Sequence, residues 1–282
     1  VALSASQLLK SEQLRLLDQW LGEWELEADL SWGVQGILVL RLAAPAGPVV
    51  IKASDVPHHI QREIRAYRQM TAPLGDHAPR LLHADSRAGV VVISWLPGAL
   101  VEGGLFEHSP MSFHQAGALL ARFHVPRHET RSYDPAALSK IDDFVRRSEP
   151  LVPAPLLRAV RSIAAAHTAA PRVLYATHGD YQPRNWIHDD GRLSVIDFGR
   201  AGYRPWVTDF VRLEHSYFAD HPDLRVAFLH GYGRDPAEEP DSWRLDNVLQ
   251  SLGTVVWAHD VGDRLFEAAG LRMVERVAER FA

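Results

Sequence analysis

Residues 178–199, HGDYQPRNWIHDDGRLSVIDFG, constrain this chain more than any other stretch, because they set three oxygen-bearing side chains at fixed spacing around one strand. Asn185 follows Asp180 by five positions, a span that lets one short loop turn both side chains inward. Leu193-Ser194-Val195-Ile196 is apolar and β-branched, as a buried strand is, and it ends on Asp197. Asp189-Asp190-Gly191 reads as the hairpin turn ahead of it. Hard oxygen donors of this kind suit magnesium, which takes one or two carboxylates and completes its shell with phosphate and water. Phosphoryl transfer from a nucleoside triphosphate needs such a metal and an acceptor for a hydroxyl proton. The pattern marks Asn185 and Asp197 as candidate metal ligands and Asp180 as candidate base. Any one of them alone would more often be a turn former or a cap. Spacing joined to structural context carries the reading.

These residues resemble the aminoglycoside phosphotransferase and choline kinase superfamily, small-molecule relatives of the protein kinases. His178, Gly179, Asp180 and Asn185 match its loop position by position, with Gly179 where protein kinases carry Arg. The resemblance extends over most of the 282 residues. It implies an α+β, bilobal protein-kinase-like fold: a small N-terminal lobe of antiparallel sheet plus helix over 1–95, and a larger, mostly helical C-terminal lobe over 96–282. It also implies ATP or GTP with Mg2+ as cofactors, Asp180 facing the acceptor hydroxyl, and His178 fixing the loop rather than moving a proton. One departure stands out: the family commonly has a second acid two residues after the metal-binding Asp, and this chain has Gly199.

The N-terminal half is then expected to hold the nucleotide. Val49-Val50-Ile51-Lys52 reads as the strand that carries a phosphate-binding lysine. Eleven residues on, Glu63 falls in a helical run where it can pair with Lys52 and hold its ammonium toward the phosphates. A surface helix would also carry such a Glu, and Glu102 is an alternative partner. Gly33 and Gly36 suit a nucleotide-covering turn, because glycine lets backbone N–H groups approach phosphate, although the same spacing occurs in ordinary hairpins. Residues 89–98 read as a buried strand running into a break. Backbone groups at Ser94 and Leu96 are candidates to meet the base, since main-chain donors lose their ladder partners where a strand stops. Trp95 either flanks that pocket or packs in the core.

Composition fits a folded enzyme, with 46% hydrophobic and 23% charged residues. There are no cysteines, so disulfides and thiolate metal sites are excluded. The longest uncharged apolar stretch, 88–101, is short of the roughly 18 residues that span a bilayer. A net charge of -5 argues against nucleic acid as a partner. The N-terminal residues lack the pattern of a signal peptide, and a cytoplasmic location is expected. The chain is expected to act as a monomer or homodimer.

Beyond a Gly- and Pro-rich linker at 94–104, residues 111–127, 136–147 and 153–169 read as helices, and 242–269 as one long helix with Leu245, Val248, Leu249, Leu252, Val256 and Leu265 on one buried stripe. Asp209 reads as a structural acid that caps a helix and braces the catalytic loop. Acids of this region could clamp a cationic acceptor or simply form a solvated face. Asp260 and Asp263 are the candidate amine-binding pair, with Glu214 and Trp257 as further candidates. The resemblance implies a phosphotransferase acting on a hydroxyl of a small, cationic molecule, with an antibiotic leading. A metabolic kinase of the choline, homoserine or sugar type and a nucleotide-binding pseudokinase are the alternatives.

Overall fold

The computed structural model describes residues 5–32 and 36–282, so the candidate Gly33 lies outside the described residues. The chain folds as two compact units, 1–123 with 178–202, and 124–177 with 203–282. This partition differs from the division at 95/96 that the resemblance implies. Residues 99–123 stay with the first unit because they pair with the segment that carries Asp180 and Asp197.

After one helical turn at Ala5–Leu8, the first unit has α1 (Ser11–Leu21) and builds a five-stranded antiparallel sheet from β1 (Glu25–Asp29), β2 (Ile37–Ala43), β3 (Val49–Ser54), β4 (Leu81–Asp85) and β5 (Val90–Ser94) in the order β1-β2-β3-β5-β4. Alternation of side chains sorts the central strands. Ile51 and Ala53 point into a core with Leu16, Leu17, Leu40, Leu42, Val90 and Val92. Lys52, between them, points to the opposite face, which α2 (Pro57–Gln69) covers with Ile60, Ile64 and Tyr67. Those positions recur at helical spacing, and Glu63 stands in the same buried stripe. A carboxylate there is out of keeping with an apolar face unless something charged meets it.

After the short strand β6 (Ala99–Leu100) comes α3 (Pro110–Phe123), and the unit closes with a hairpin of β7 (Trp186–Asp189) and β8 (Arg192–Val195). β6 adds to the outer side of β7, with Ala99 opposite His188 and Leu100 opposite Ile187. The turn residues Asp190 and Gly191 have φ of 43° and 79°, the two left-handed positions that a tight two-residue hairpin demands. Gln115 of α3 clasps the hairpin, donating to the Gly191 carbonyl and accepting from the Leu193 N–H.

The second unit pairs Pro126–Thr130 with Arg172–Thr177 and packs α4 (Tyr133–Ser148), α5 (Ala154–Ala165), α6 (Pro222–Tyr232), α7 (Pro240–Val261) and α8 (Arg264–Phe281). Its core joins Ile141, Val160, Leu245, Val248, Leu252 and Val274. The single helix expected over 242–269 is broken. Gly262 adopts φ 75° and ends α7, and Asp263 opens α8 by accepting the Phe266 N–H at 3.0 Å. The break turns Leu265 outward, 86% exposed, instead of into the buried stripe.

Within this unit Asp246 is 1% exposed and accepts from the Tyr133 hydroxyl at 2.7 Å and the Thr208 hydroxyl at 3.1 Å. Burial pushes its carboxyl up to about 6, against the pull of those two hydroxyls and Arg204. A raised carboxyl binds its proton more tightly folded than unfolded. Its contribution to stability is therefore present below the ordinary carboxylate pKa, near 4, and is lost as pH rises through about 6. Asp246→Asn is expected to gain in melting temperature relative to the native protein as pH is raised across that window. Thermal unfolding at a series of pH values checks this, and a pH-independent difference would contradict it.

Candidate active site

Lys52 extends from β3 toward α2, where its ammonium lies 2.8 Å from Glu63 Oε1 and 2.7 Å from Asp197 Oδ1. Lys52 and Glu63 are both buried, whereas the Asp197 side chain is 48% exposed and open to a ligand. Burial disfavours the Lys52 ammonium, yet the carboxylates of Asp197 and Glu63 outweigh it and carry its pKa well above the usual lysine value. Burial raises Glu63, with Lys52 opposing. For Asp197 the raising effect of its surroundings is overcome by Lys52, which holds it below the ordinary carboxylate range. The group is thus one cation between two acids.

Asp197 follows β8 with φ 63° and ψ 70°, a left-handed conformation that is uncommon outside glycine. Phe198 is fully buried beneath it and meets the rings of Tyr67, Phe123 and His178 at 5.0–5.5 Å between centroids. That packing holds the strained residue in place. At Gly199 a β-carbon would lie 3.4 Å from Asp197 Oδ1 and 3.6 Å from Glu63 Oε2. A second acid at this position would therefore extend from the very edge of the Lys52 cluster, adding negative charge there.

The loop that carries Asp180 is fixed from below. His178 Nε2 lies 2.9 Å from the Ile196 carbonyl, and the Asp180 N–H donates to His178 Nδ1 at 3.3 Å, so both ring nitrogens are engaged in shaping the loop. Gly179 has φ 78°, which lets the chain reverse between them. The Tyr181 hydroxyl donates to the Ala116 carbonyl of α3 at 2.7 Å, and Trp186 packs fully buried against Phe113 and Tyr181.

Asp180 is 4% exposed and Asn185 is 5% exposed. Asn185 Nδ2 donates to the Asp180 carbonyl at 2.8 Å and approaches Asp180 Oδ2 at 3.2 Å. The amide nitrogen is thereby directed at Asp180, and the amide oxygen remains the atom suited to a metal. Two further donors on Asp180 were not singled out by sequence reasoning: Gln182 Nε2 at 2.6 Å, and Arg184 Nη2 at 3.0 and 2.8 Å from the two carboxylate oxygens. The signal was present in Arg184 falling four residues after Asp180.

The other candidates fare differently. Gly36 takes φ 62° just ahead of β2. The Ser94 N–H, expected to be open, donates to the Arg80 carbonyl at 2.9 Å, and the Trp95 N–H donates to the Pro48 carbonyl at 3.3 Å. These residues still have partners because β5 is flanked beyond its last ladder position. The Arg41 guanidinium lies 4.2 Å over the Trp95 ring, which packs Trp95 against β2. Leu96 is half-buried at the end of this run.

In the second unit Asp260 is ion-paired with Arg147 at 2.5 Å, Glu214 lies between Arg280 at 2.7 Å and Arg225 at 3.4 Å, and Asp263 serves as the α8 cap. Trp257 packs edge-on against Phe266. Asp260 and Asp263 therefore stand on either side of a helix break rather than as one pair. Asp209, expected to cap a helix and brace the catalytic loop, meets buried His124 at 3.0 Å, and His124 in turn meets the Tyr232 hydroxyl at 2.7 Å.

Among the described residues no cluster of three His, Cys, Asp or Glu side chains is arranged to hold a metal by itself. One carboxylate and one amide oxygen instead fit magnesium that arrives with the phosphates of its nucleotide. Removing a buried ion's partner typically costs on the order of 3–5 kcal/mol. Lys52→Ala is expected to lose stability of that order in urea unfolding, and adding Glu63→Gln is expected to restore part of it. Strictly additive losses would show that the two side chains are not coupled.

The profile of the phosphotransferase enzyme family matches residues 32–245. Among curated proteins no match is found. Solved structures align over nearly the whole chain. The gentamicin complex of APH(2″)-IIa is 17% identical, covering 97% of this chain and 98% of that one with a TM-score of 0.64. The GDP complex of aminoglycoside 2′-phosphotransferase-IIIa is 14% identical, covering 95% and 99% with a TM-score of 0.69. A choline/ethanolamine kinase family protein from Mesorhizobium loti is 22% identical, covering 94% and 90% with a TM-score of 0.65. At these identities the likeness shows the fold, which is protein-kinase-like and α+β.

Proposed function

Because the chain belongs to the phosphotransferase enzyme family, we propose that it moves the γ-phosphoryl group of ATP or GTP to a hydroxyl of a small, amine-bearing molecule. The observation that carries this reading is the meeting, in one unit, of a buried Lys52–Glu63 pair, the adjoining Asp197 and the inward-facing Asp180 and Asn185. Each supplies a part that phosphoryl transfer requires.

In this reading Glu63 holds the Lys52 ammonium where the α and β phosphates lie. The end of β5 near Leu96 receives the base, and Gly36 belongs to the turn that covers the phosphates. Asp197 and the Asn185 amide oxygen would hold magnesium. When bound, the metal supplies neutralisation of the charge that gathers on the β and γ oxygens. Asp180 orients the acceptor hydroxyl and takes its proton as the oxygen attacks phosphorus in line. Its carbonyl and carboxylate both bind Asn185, so the base and the metal ligand are positioned by one another.

The amine of the acceptor is proposed from the company the fold keeps. Its solved relatives include aminoglycoside phosphotransferases, one with ADP and hygromycin B bound, and a choline/ethanolamine kinase family protein. In this chain Asp260 and Glu214 are already paired with arginines, which makes them weaker amine sites. Glu102 is a further candidate: its N–H donates to the Pro183 carbonyl, and its carboxylate lies within electrostatic reach of Asp180 as well as of an arginine, Arg184. An antibiotic is the leading acceptor, which would make the protein a resistance enzyme of the cytoplasm.

Release of ADP or GDP with magnesium, measured against a panel of aminoglycosides, macrolides, basic peptide antibiotics, choline and homoserine, tests the reading. One acceptor is expected to stimulate release strongly, and Asp180→Asn is expected to lower that turnover by roughly two to four orders of magnitude, as loss of a general base does. Full turnover by Asp180→Asn would refute the assigned base.

A further inference from the structure

We infer that Arg184 is a catalytic side chain that the γ-phosphoryl group draws away from Asp180, so that binding of the nucleotide itself frees the base. The inference rests on the phosphotransferase reading and adds to it a residue and an order of events.

A carboxylate offers about four lone-pair sites. The contacts on the Asp180 carboxylate include Gln182 on Oδ1, Asn185 on Oδ2, and Arg184 on each, enough to fill those sites. A carboxylate so occupied has no site left for the proton of an acceptor hydroxyl. One donor must leave before Asp180 can act. Asn185 is tethered a second time, through the Asp180 carbonyl, and Gln182 is a neutral amide on a residue 7% exposed. Arg184 is the one of the three that carries charge, and its side chain is 22% exposed at the end of a long stem.

What would move it is chemistry of its own kind. A guanidinium binds the paired oxygens of a phosphoryl group in the same forked geometry as those of a carboxylate, and the phosphoryl group carries more charge. The surroundings favour a short move over a long one. The guanidinium already lies over the exposed Trp32 ring at 5.8 Å, and the Glu102 carboxylate lies within electrostatic reach on a main chain pinned to Pro183. Arg184 can thus leave Asp180 while the loop backbone stays where His178, Tyr181 and Trp186 fix it.

In the transfer step the acceptor oxygen forms a bond to the γ-phosphorus, and the bond from that phosphorus to the β–γ bridging oxygen breaks with its electron pair leaving on the nucleoside diphosphate. The hydroxyl proton passes to the carboxylate oxygen that Arg184 has vacated. Arg184 meanwhile offsets charge on the equatorial oxygens.

Equilibrium binding separates this from a merely structural salt bridge, and it requires no known acceptor. The probes are ADP and the non-hydrolysable triphosphate AMP-PNP with magnesium, with GDP and GMP-PNP in parallel, against the native protein, Arg184→Gln, Asp180→Asn and the double variant. Thermal unfolding confirms that each is folded. Loss of a charge-assisted contact to the γ-phosphate is expected to weaken triphosphate binding in Arg184→Gln by about tenfold, while diphosphate binding stays within about twofold. Asp180→Asn, which releases Arg184, is expected to tighten triphosphate binding about threefold or more, and that gain is expected to vanish in the double variant.

Equal weakening toward diphosphate and triphosphate, or a gain from Asp180→Asn that persists without Arg184, would overturn the inference while leaving the phosphotransferase reading intact. Failure of the native protein to bind either pair of nucleotides would overturn both.

Discussion

One buried cation between two acids organises the first unit. Lys52 would be an error in a strand whose neighbours are Ile51 and Ala53, and Glu63 would be an error in a helix face of Ile60, Ile64 and Tyr67, if each stood alone. Together they fix the register of α2 against β3, because a buried charge without its partner costs far more than a misplaced methyl group. The third member, Asp197, ties β8 to the same point across 145 residues of chain. The cluster sums to one negative charge beside a half-exposed carboxylate oxygen, which is the electrostatic setting that a hydrated divalent cation completes.

The rest of the site is built outward from rigid pieces. A tight hairpin, clasped by Gln115, delivers Asp197 in a strained conformation that the aromatic packing around Phe198 sustains. The Asp180 loop stands on α3 through Tyr181 and Trp186. Asp197 carries the backbone cost of a left-handed conformation, whereas Asp180 is a buried carboxylate whose charge is met by several donors.

How much of this could be read from the sequence depends on the reach of each interaction. The spacing of Asp180, Asn185 and Asp197 and the hairpin turn at Asp190-Gly191 follow from local pattern, because each element positions its residue by its own periodicity, whereas the pairing of Lys52 with Glu63 rather than Glu102 is decided by the packing of α2 on β3. The second unit was less legible. The Glu214–Arg280 pair joins residues 66 positions apart, so nothing nearby in the chain announced that this acid was already neutralised. The helix break was legible in principle, since Gly262-Asp263 combines a common helix stop with a common helix start, but the hydrophobic periodicity of α7 masked it. Arg184 escaped notice for a different reason. The chemistry of metal binding and proton transfer is written in acids, and the cation that holds such an acid in check has no motif of its own.

Central to the proposed chemistry is that Asp197 serves the nucleotide's metal rather than merely balancing Lys52. The most direct measurement is the affinity of ATP or GTP with and without Mg2+, for the native protein and for Asp197→Asn. Mg2+ is expected to tighten binding about tenfold or more in the native protein, as a shared metal ligand should, and Asp197→Asn is expected to remove most of that gain. Affinity indifferent to Mg2+, or a metal dependence that survives Asp197→Asn, would contradict it.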